Sequence, residues 1–166
     1  MATLKPISAA GVPTALQKAE RYRLLNDSSA AESICLDVLE IAPEDQQALV
    51  MLLLSITDQF DQDMGSGPAR AQAVLPRLKD DYKRAYYAGI IAERRAKAEL
   101  KRGAVGAEAN AFQWLSEAMR WYEKAEAGRP AGNDEAILRW NTCLRILQRN
   151  ERIRAEEVGE YEPALE

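Results

Sequence analysis

One spacing recurs in this chain: an alanine, a packing residue four positions on, a small or medium residue three further, and a proline five beyond that. The copies are Ala31-Cys35-Val38-Pro43 and Ala118-Tyr122-Ala125-Pro130. Steps of four and three return to one side of an α-helix, so the first three residues of each copy share a face. Proline lacks an amide hydrogen and its ring clashes with the preceding turn, so each helix must end before its proline. The chain is thereby held to helices that meet a neighbour through a narrow, small-residue face and then turn sharply. No stretch of useful length alternates apolar and polar residues as a half-buried strand does.

With 166 residues, 47% of them apolar, the chain can bury one sizeable core. The net charge of −4 is unevenly placed. Residues 1–76 hold five Lys/Arg against ten Asp/Glu, residues 77–102 nine against four, and residues 103–166 eight against twelve. A basic block therefore lies between acidic ends, and the molecule as a whole is no general polyanion binder. The absence of histidine removes the commonest general base, transition-metal ligand and pH switch. Cys35 and Cys143 stand singly within apolar helical patterns and read as buried thiols, which fits a reducing compartment. Residues 1–15 lack the charged start and apolar run of a signal peptide, and the apolar run 48–56 is far short of a membrane span. The expectation is a cytoplasmic protein.

Residues 1–13, with Pro6, Gly11 and Pro13, read as a flexible arm. Thr14 and Gln17 have capping-box spacing and open a first helix to about Asn26; Ser29 and Glu32 do the same for a second, whose stripe is Ala31, Ile34, Cys35, Val38 and Leu39. A third helix runs from about Asp45 to Phe60 and is apolar around so much of its circumference that it must be covered on two sides. After a polar loop, Pro68 opens a fourth helix, and Pro76 kinks or ends it near Leu75. Asp80 or Asp81 caps a long fifth helix to about Arg102, Gly103 and Gly106 break it, and a sixth covers about 108–127. Asn133 or Asp134 starts a seventh that runs to about Ile153, and residues 155–166 form an acidic tail.

Seven helices, short turns and the recurring frame resemble the tetratricopeptide repeat. Ala31, Cys35, Val38 and Pro43 match the order of that family's second helix, with Tyr22 and Ala19 in its first-helix positions; Ala118, Tyr122, Ala125 and Pro130 match it again. Trp140-Asn141-Thr142-Cys143 looks like the start of a capping first helix. The two copies lie 87 residues apart, where two ordinary repeats need roughly 68. The excess falls to the 61–67 loop, a lengthened fifth helix and the 103–107 connection, and the middle repeat has lost its signature. The resemblance implies an all-α, right-handed superhelical stack of antiparallel hairpins over residues 14–154, with a C-terminal capping helix. It also implies a groove lined by first helices, which by register places Glu20, Arg23, Gln47, Lys83, Tyr86 and Arg94 along it. The lysine and asparagine set with which some members grip a partner's C-terminal carboxylate is not matched: Lys18 is there without an asparagine in register.

Other chemistry finds little footing. Asp58, Asp61, Asp63 and Gly65 suggest a calcium loop, but neither register supplies the glycine at six and the glutamate at twelve. There is no phosphate-binding glycine loop and no nucleophile motif. Arg94, Lys97 and Lys101 share a face of the fifth helix, with Glu93 and Glu99 close by; they read as a solvated face or as a dock for an acidic partner. Trp114, Trp121, Trp140, Tyr86, Tyr87 and Tyr122 crowd the C-terminal half, mostly as core, with one or two exposed as anchors. The expectation is a non-enzymatic adaptor without cofactor or metal, taking a protein or peptide partner. Two rivals stay open: a homo-oligomer through the Trp-rich half, and a nucleic-acid-associated protein using the basic fifth helix.

Overall fold

The computed structural model describes residues 2–150 and Ile153. Among them are seven α-helices and no strand: α1 Val12–Leu24, α2 Ser28–Ile41, α3 Gln46–Thr57, α4 Gly67–Val74, α5 Asp81–Arg102, α6 Ala107–Ala127 and α7 Glu135–Arg149. No helix among these residues is long and apolar enough to cross a membrane. The acidic tail 155–166 lies outside the described residues.

Aspartates start three of the helices. Asp27, Asp45 and Asp80 accept the amides of Ala30, Ala48 and Lys83 at 3.1, 2.8 and 3.2 Å, so each satisfies one of the amides that a helix start leaves without a partner. Two starts differ from expectation. Neither capping box forms: Asn26 turns the chain at φ 60 and delivers Asp27 to the cap before Ser29, while α1 begins at Val12 with Pro13 in its first turn. A 3₁₀ turn, Ala9–Gly11, precedes α1, with the Ser8 hydroxyl accepting the Gly11 amide, and Ile7 packs on the core. The arm expected over residues 1–13 is thus partly built into the fold. At the other end α7 stops at Arg149 rather than near Ile153. Pro76 ends α4 as expected, in a 3₁₀ turn over Leu75–Arg77. Gly103 closes α5 in the left-handed region, φ 62, where a side chain would be strained.

Helices adjacent in sequence pack together throughout, α4 against α5 more lightly than the others, and α3 also touches α1 and α5. Two clusters of buried residues result. One joins α1 to α4 around Leu49, Leu53, Ile56 and Phe60; the other joins α5, α6 and α7 around Ile90, Leu115 and Tyr122. Leu54 and Tyr87 belong to both margins and weld them. All six helical residues of the repeated frame are wholly buried, on α2 and on α6. The excess length between the copies sits mainly in α5 and α6, of 22 and 21 residues, against 13 and 14 for α1 and α2.

Candidate functional site

Arg23 and Arg94, two of the residues placed in the groove, do come together, but around a carboxylate of the chain itself. Arg23 Nε donates to Asp58 Oδ2 at 2.7 Å, and Arg94 Nη1 bonds Asp58 Oδ1 and donates to Thr57 Oγ1 at 2.8 Å. Ser28 Oγ also donates to Asp58, so one aspartate at the end of α3 ties α1, α2 and α5 together. These side chains are about one-fifth exposed. Burial lowers the Arg94 pKa below the usual guanidinium value, and Asp58 opposes that shift. The rest of the basic face is likewise matched from within, Lys97 by Glu93 and Lys101 by Asp61. Among the described residues Glu20, Gln47 and Lys83 are exposed and join no cluster, whereas Tyr86 is buried against Tyr82, Tyr87 and Tyr122.

Glu93 is the residue that sequence reasoning undervalued. Read as a surface counter-charge, it is completely buried. Its carboxylate accepts from Tyr122 Oη at 2.7 Å and from Arg139 Nη1 at 3.3 Å, and pairs with Lys97. A buried charge is tolerated only when its lone pairs are met, and here three helices meet them. Burial and the adjacent carboxylate push the Tyr122 hydroxyl pKa up, so it stays a proton donor. The signal was legible in the spacing Gly89, Glu93, Lys97. These three positions lie one above another, and Gly89 is where Tyr122 enters: a Cβ there would sit 2.5 Å from the tyrosine ring.

The opposite side of α5 offers a different surface. Ala88, Ile91 and Arg95 form one wall of a trough of about 250 Å³, Leu75 and Pro76 another, and Trp114 and Trp121 of α6 the third. A second hollow of about 490 Å³ continues it past Arg84 and Lys124. Both tryptophans are half-buried. The Arg95 guanidinium lies 3.9 Å above the Trp114 ring, and Lys124 Nζ 5.1 Å from the Trp121 ring. Arg95 Nε is buried and has no hydrogen-bond partner among the described residues. The trough is therefore aromatic, carries both Arg95 and Glu117 on its lining, and has beside it a buried donor that nothing in the described fold satisfies. In the continuing hollow Arg84 is paired with Asp81 and Lys124 lies over Trp121. A larger hollow, about 540 Å³, runs beside α1 past Gln17, Lys18 and Arg21, but a single helix and its exit line it.

The two cysteines take no part in either surface. Both are buried, and desolvation pushes each thiol up to about 12. Of the acids that suggested a calcium loop, Asp58 and Asp61 hold cations of α1 and α5, and Asp63 accepts from Ser66. No family model matches the sequence, and neither a curated protein nor a solved structure matches it.

Proposed function

We propose that the chain is a non-enzymatic docking module, a right-handed stack of helical hairpins of the tetratricopeptide kind, which binds an acidic segment of a partner protein in the Trp114–Trp121 trough. Support for the hairpin reading comes from the buried frame residues of α2 and α6 and from the contacts of α3 with α1 and α5. The observation that carries the binding reading is Arg95: a guanidinium carbon 3.9 Å from the Trp114 ring centroid, with an Nε that lacks a partner among the described residues, in an aromatic trough. Contact with Trp114 holds the guanidinium in place before anything binds, so little side-chain entropy is lost when a carboxylate arrives. The indole faces and Pro76 offer apolar area to an aliphatic or proline side chain beside that carboxylate. The first-helix groove is a weaker candidate, because Asp58 already satisfies Arg23 and Arg94. The nucleic-acid reading loses its motive in the same way, since Lys97 and Lys101 are paired internally.

The test is selection from a displayed library of random peptides on the whole protein, with Arg95→Glu and Trp121→Ala variants as counter-targets. The expected result is one enriched motif, a carboxylate next to an aliphatic or proline residue. Its binding should fall about thirtyfold on Trp121→Ala, equivalent to about 2 kcal/mol, and should survive Lys83→Glu on the other side of α5. A motif indifferent to the trough variants, or no enrichment, overturns the assignment.

A further inference from the structure

We propose that the acidic segment 155–166 of the chain itself docks in the Trp114–Trp121 trough and competes there with any partner. The proposal rests on the trough as the binding surface, and it commits to an occupant in cis. Its first support is charge. The segment carries Glu156, Glu157, Glu160, Glu162 and Glu166 and no lysine or arginine. The trough offers Arg95, and the surface that continues it offers Lys124 and Arg120 beside Trp121; of the acids there, Asp81 is paired with Arg84 and Glu117 accepts from the Trp121 indole N–H at 3.4 Å. The second support is apolar chemistry: Val158, Tyr161, Pro163 and Leu165 punctuate the glutamates, the mixture that an aromatic trough lined by Arg95 accepts.

The third support is position. Trp140 Nε1 donates to Glu123 Oε1 at 3.0 Å, which aligns α7 with α6 across their short connection. Nine residues back along α6 from Glu123 stands Trp114; nine residues forward along α7 from Trp140 stands Arg149. At 1.5 Å per residue both steps cover about 13 Å, so α7 ends level with the Trp114 end of the trough. Ile153 is buried in the cluster on which Trp114 and Trp121 pack. From Trp114 to Trp121 is a further ~10 Å of helix, and the residues beyond Ile153 can span about 40 Å when extended. Reach is no obstacle.

The test uses the full chain. Ala164→Cys places one reactive thiol in the tail, since burial keeps Cys35 and Cys143 unreactive, and a nitroxide attached there broadens resonances near it. The expected result is selective loss of the Trp114 and Trp121 indole N–H signals relative to Trp140. Recovery should follow on changing Glu156, Glu157, Glu160 and Glu162 to Gln, positions outside α1 to α7. Recovery should also follow at ~1 M salt, where the Debye length falls to about 3 Å. Equal broadening of all three indoles, or none, overturns the proposal. So does broadening that survives the Gln changes. In a mixture of spin-labelled and isotope-enriched chains, broadening that passes between copies assigns the tail to a second molecule and overturns docking in cis. The partner reading fails separately: a selected peptide that binds the trough while the tail probe is silent refutes only the tail, and selective tail broadening without any selected peptide refutes only the partner.

Discussion

The two halves of this molecule use one helical frame and fill it in opposite ways. On α2 the packing position is Cys35, small and apolar, and the facing helices bring the bulk: Leu16 from α1, Leu49 and Leu53 from α3. On α6 it is Tyr122, whose ring leaves room only for Gly89 on α5 and whose hydroxyl needs a buried partner. Glu93, one turn along from Gly89, supplies it, and its charge in turn needs Lys97 and Arg139. The acid hub of the N-terminal half, Asp58, sits at the margin with about a fifth of its side chain in water; that of the C-terminal half is wholly enclosed. One residue at a packing position thus decides whether a core is oily or contains a network that must be complete.

The sharpest way to break this comparison is to strip each carboxylate of its cations. Lys97→Ala with Arg139→Ala leaves Glu93 buried without a counter-charge, held only by the Tyr122 hydroxyl, a loss of about 3–5 kcal/mol in urea unfolding. Adding Glu93→Gln should recover part of it. Arg23→Ala with Arg94→Ala leaves Asp58 within reach of water and should cost only about 1 kcal/mol. Equal losses would show that the enclosure of Glu93 has no energetic consequence.

Packing gives the next effect. Ala118→Leu should destabilise by about 1–3 kcal/mol, since the residue is fully enclosed between helices. Gly89→Ala should do the same through Tyr122, although alanine is the better helix former by about 1 kcal/mol. A double substitution, Gly89→Ala with Tyr122→Leu, should be milder than Gly89→Ala alone. If it is not, the close approach at Gly89 is not what limits that position.

Alkali should act on both halves. Burial raises Cys35 and Cys143 from 9.0, and Tyr87 from 10.0, to about 12. The unfolded chain therefore releases these protons first. Their contribution is complete below about pH 9 and is lost as pH rises toward 12. Chemical denaturation at stepped pH checks the slope, and stability that rises over that window would contradict the burial. The smallest effect concerns the thiols: at pH 8 a disulfide reagent should leave both untouched until the protein unfolds. Fast labelling of one alone would show that its half opens separately.

Much of the fold was legible because helix periodicity and proline are local. The number of helices, the break at Pro76, the cap at Asp80 and the buried frame all follow from residues within a turn or two of one another. The start of α2 departs from its capping-box spacing for an equally local reason: that spacing competes with whichever residue the preceding turn delivers first, here Asp27 after Asn26. The site was less legible. Arg94, Lys97 and Lys101 share a face of α5, but their carboxylates come from residues 58, 93 and 61, and two of those lie on another helix or loop. Trp114 and Trp121 stand seven residues apart and so share a helix face, yet nothing in that spacing says that Pro76 and Arg95 complete a trough around them.

By itself the sequence determined that the chain is helical, where most of its helices begin and end, and which small residues face a neighbour. Hydrogen bonds to i−4, caps and proline act over a few residues, and that range is written in order along the chain. Tertiary structure alone decided which charges are satisfied. Asp58 could claim two arginines and Glu93 could become a buried acid only when helices distant in sequence were laid side by side, because an ion pair depends on distance in space and on the water that packing removes.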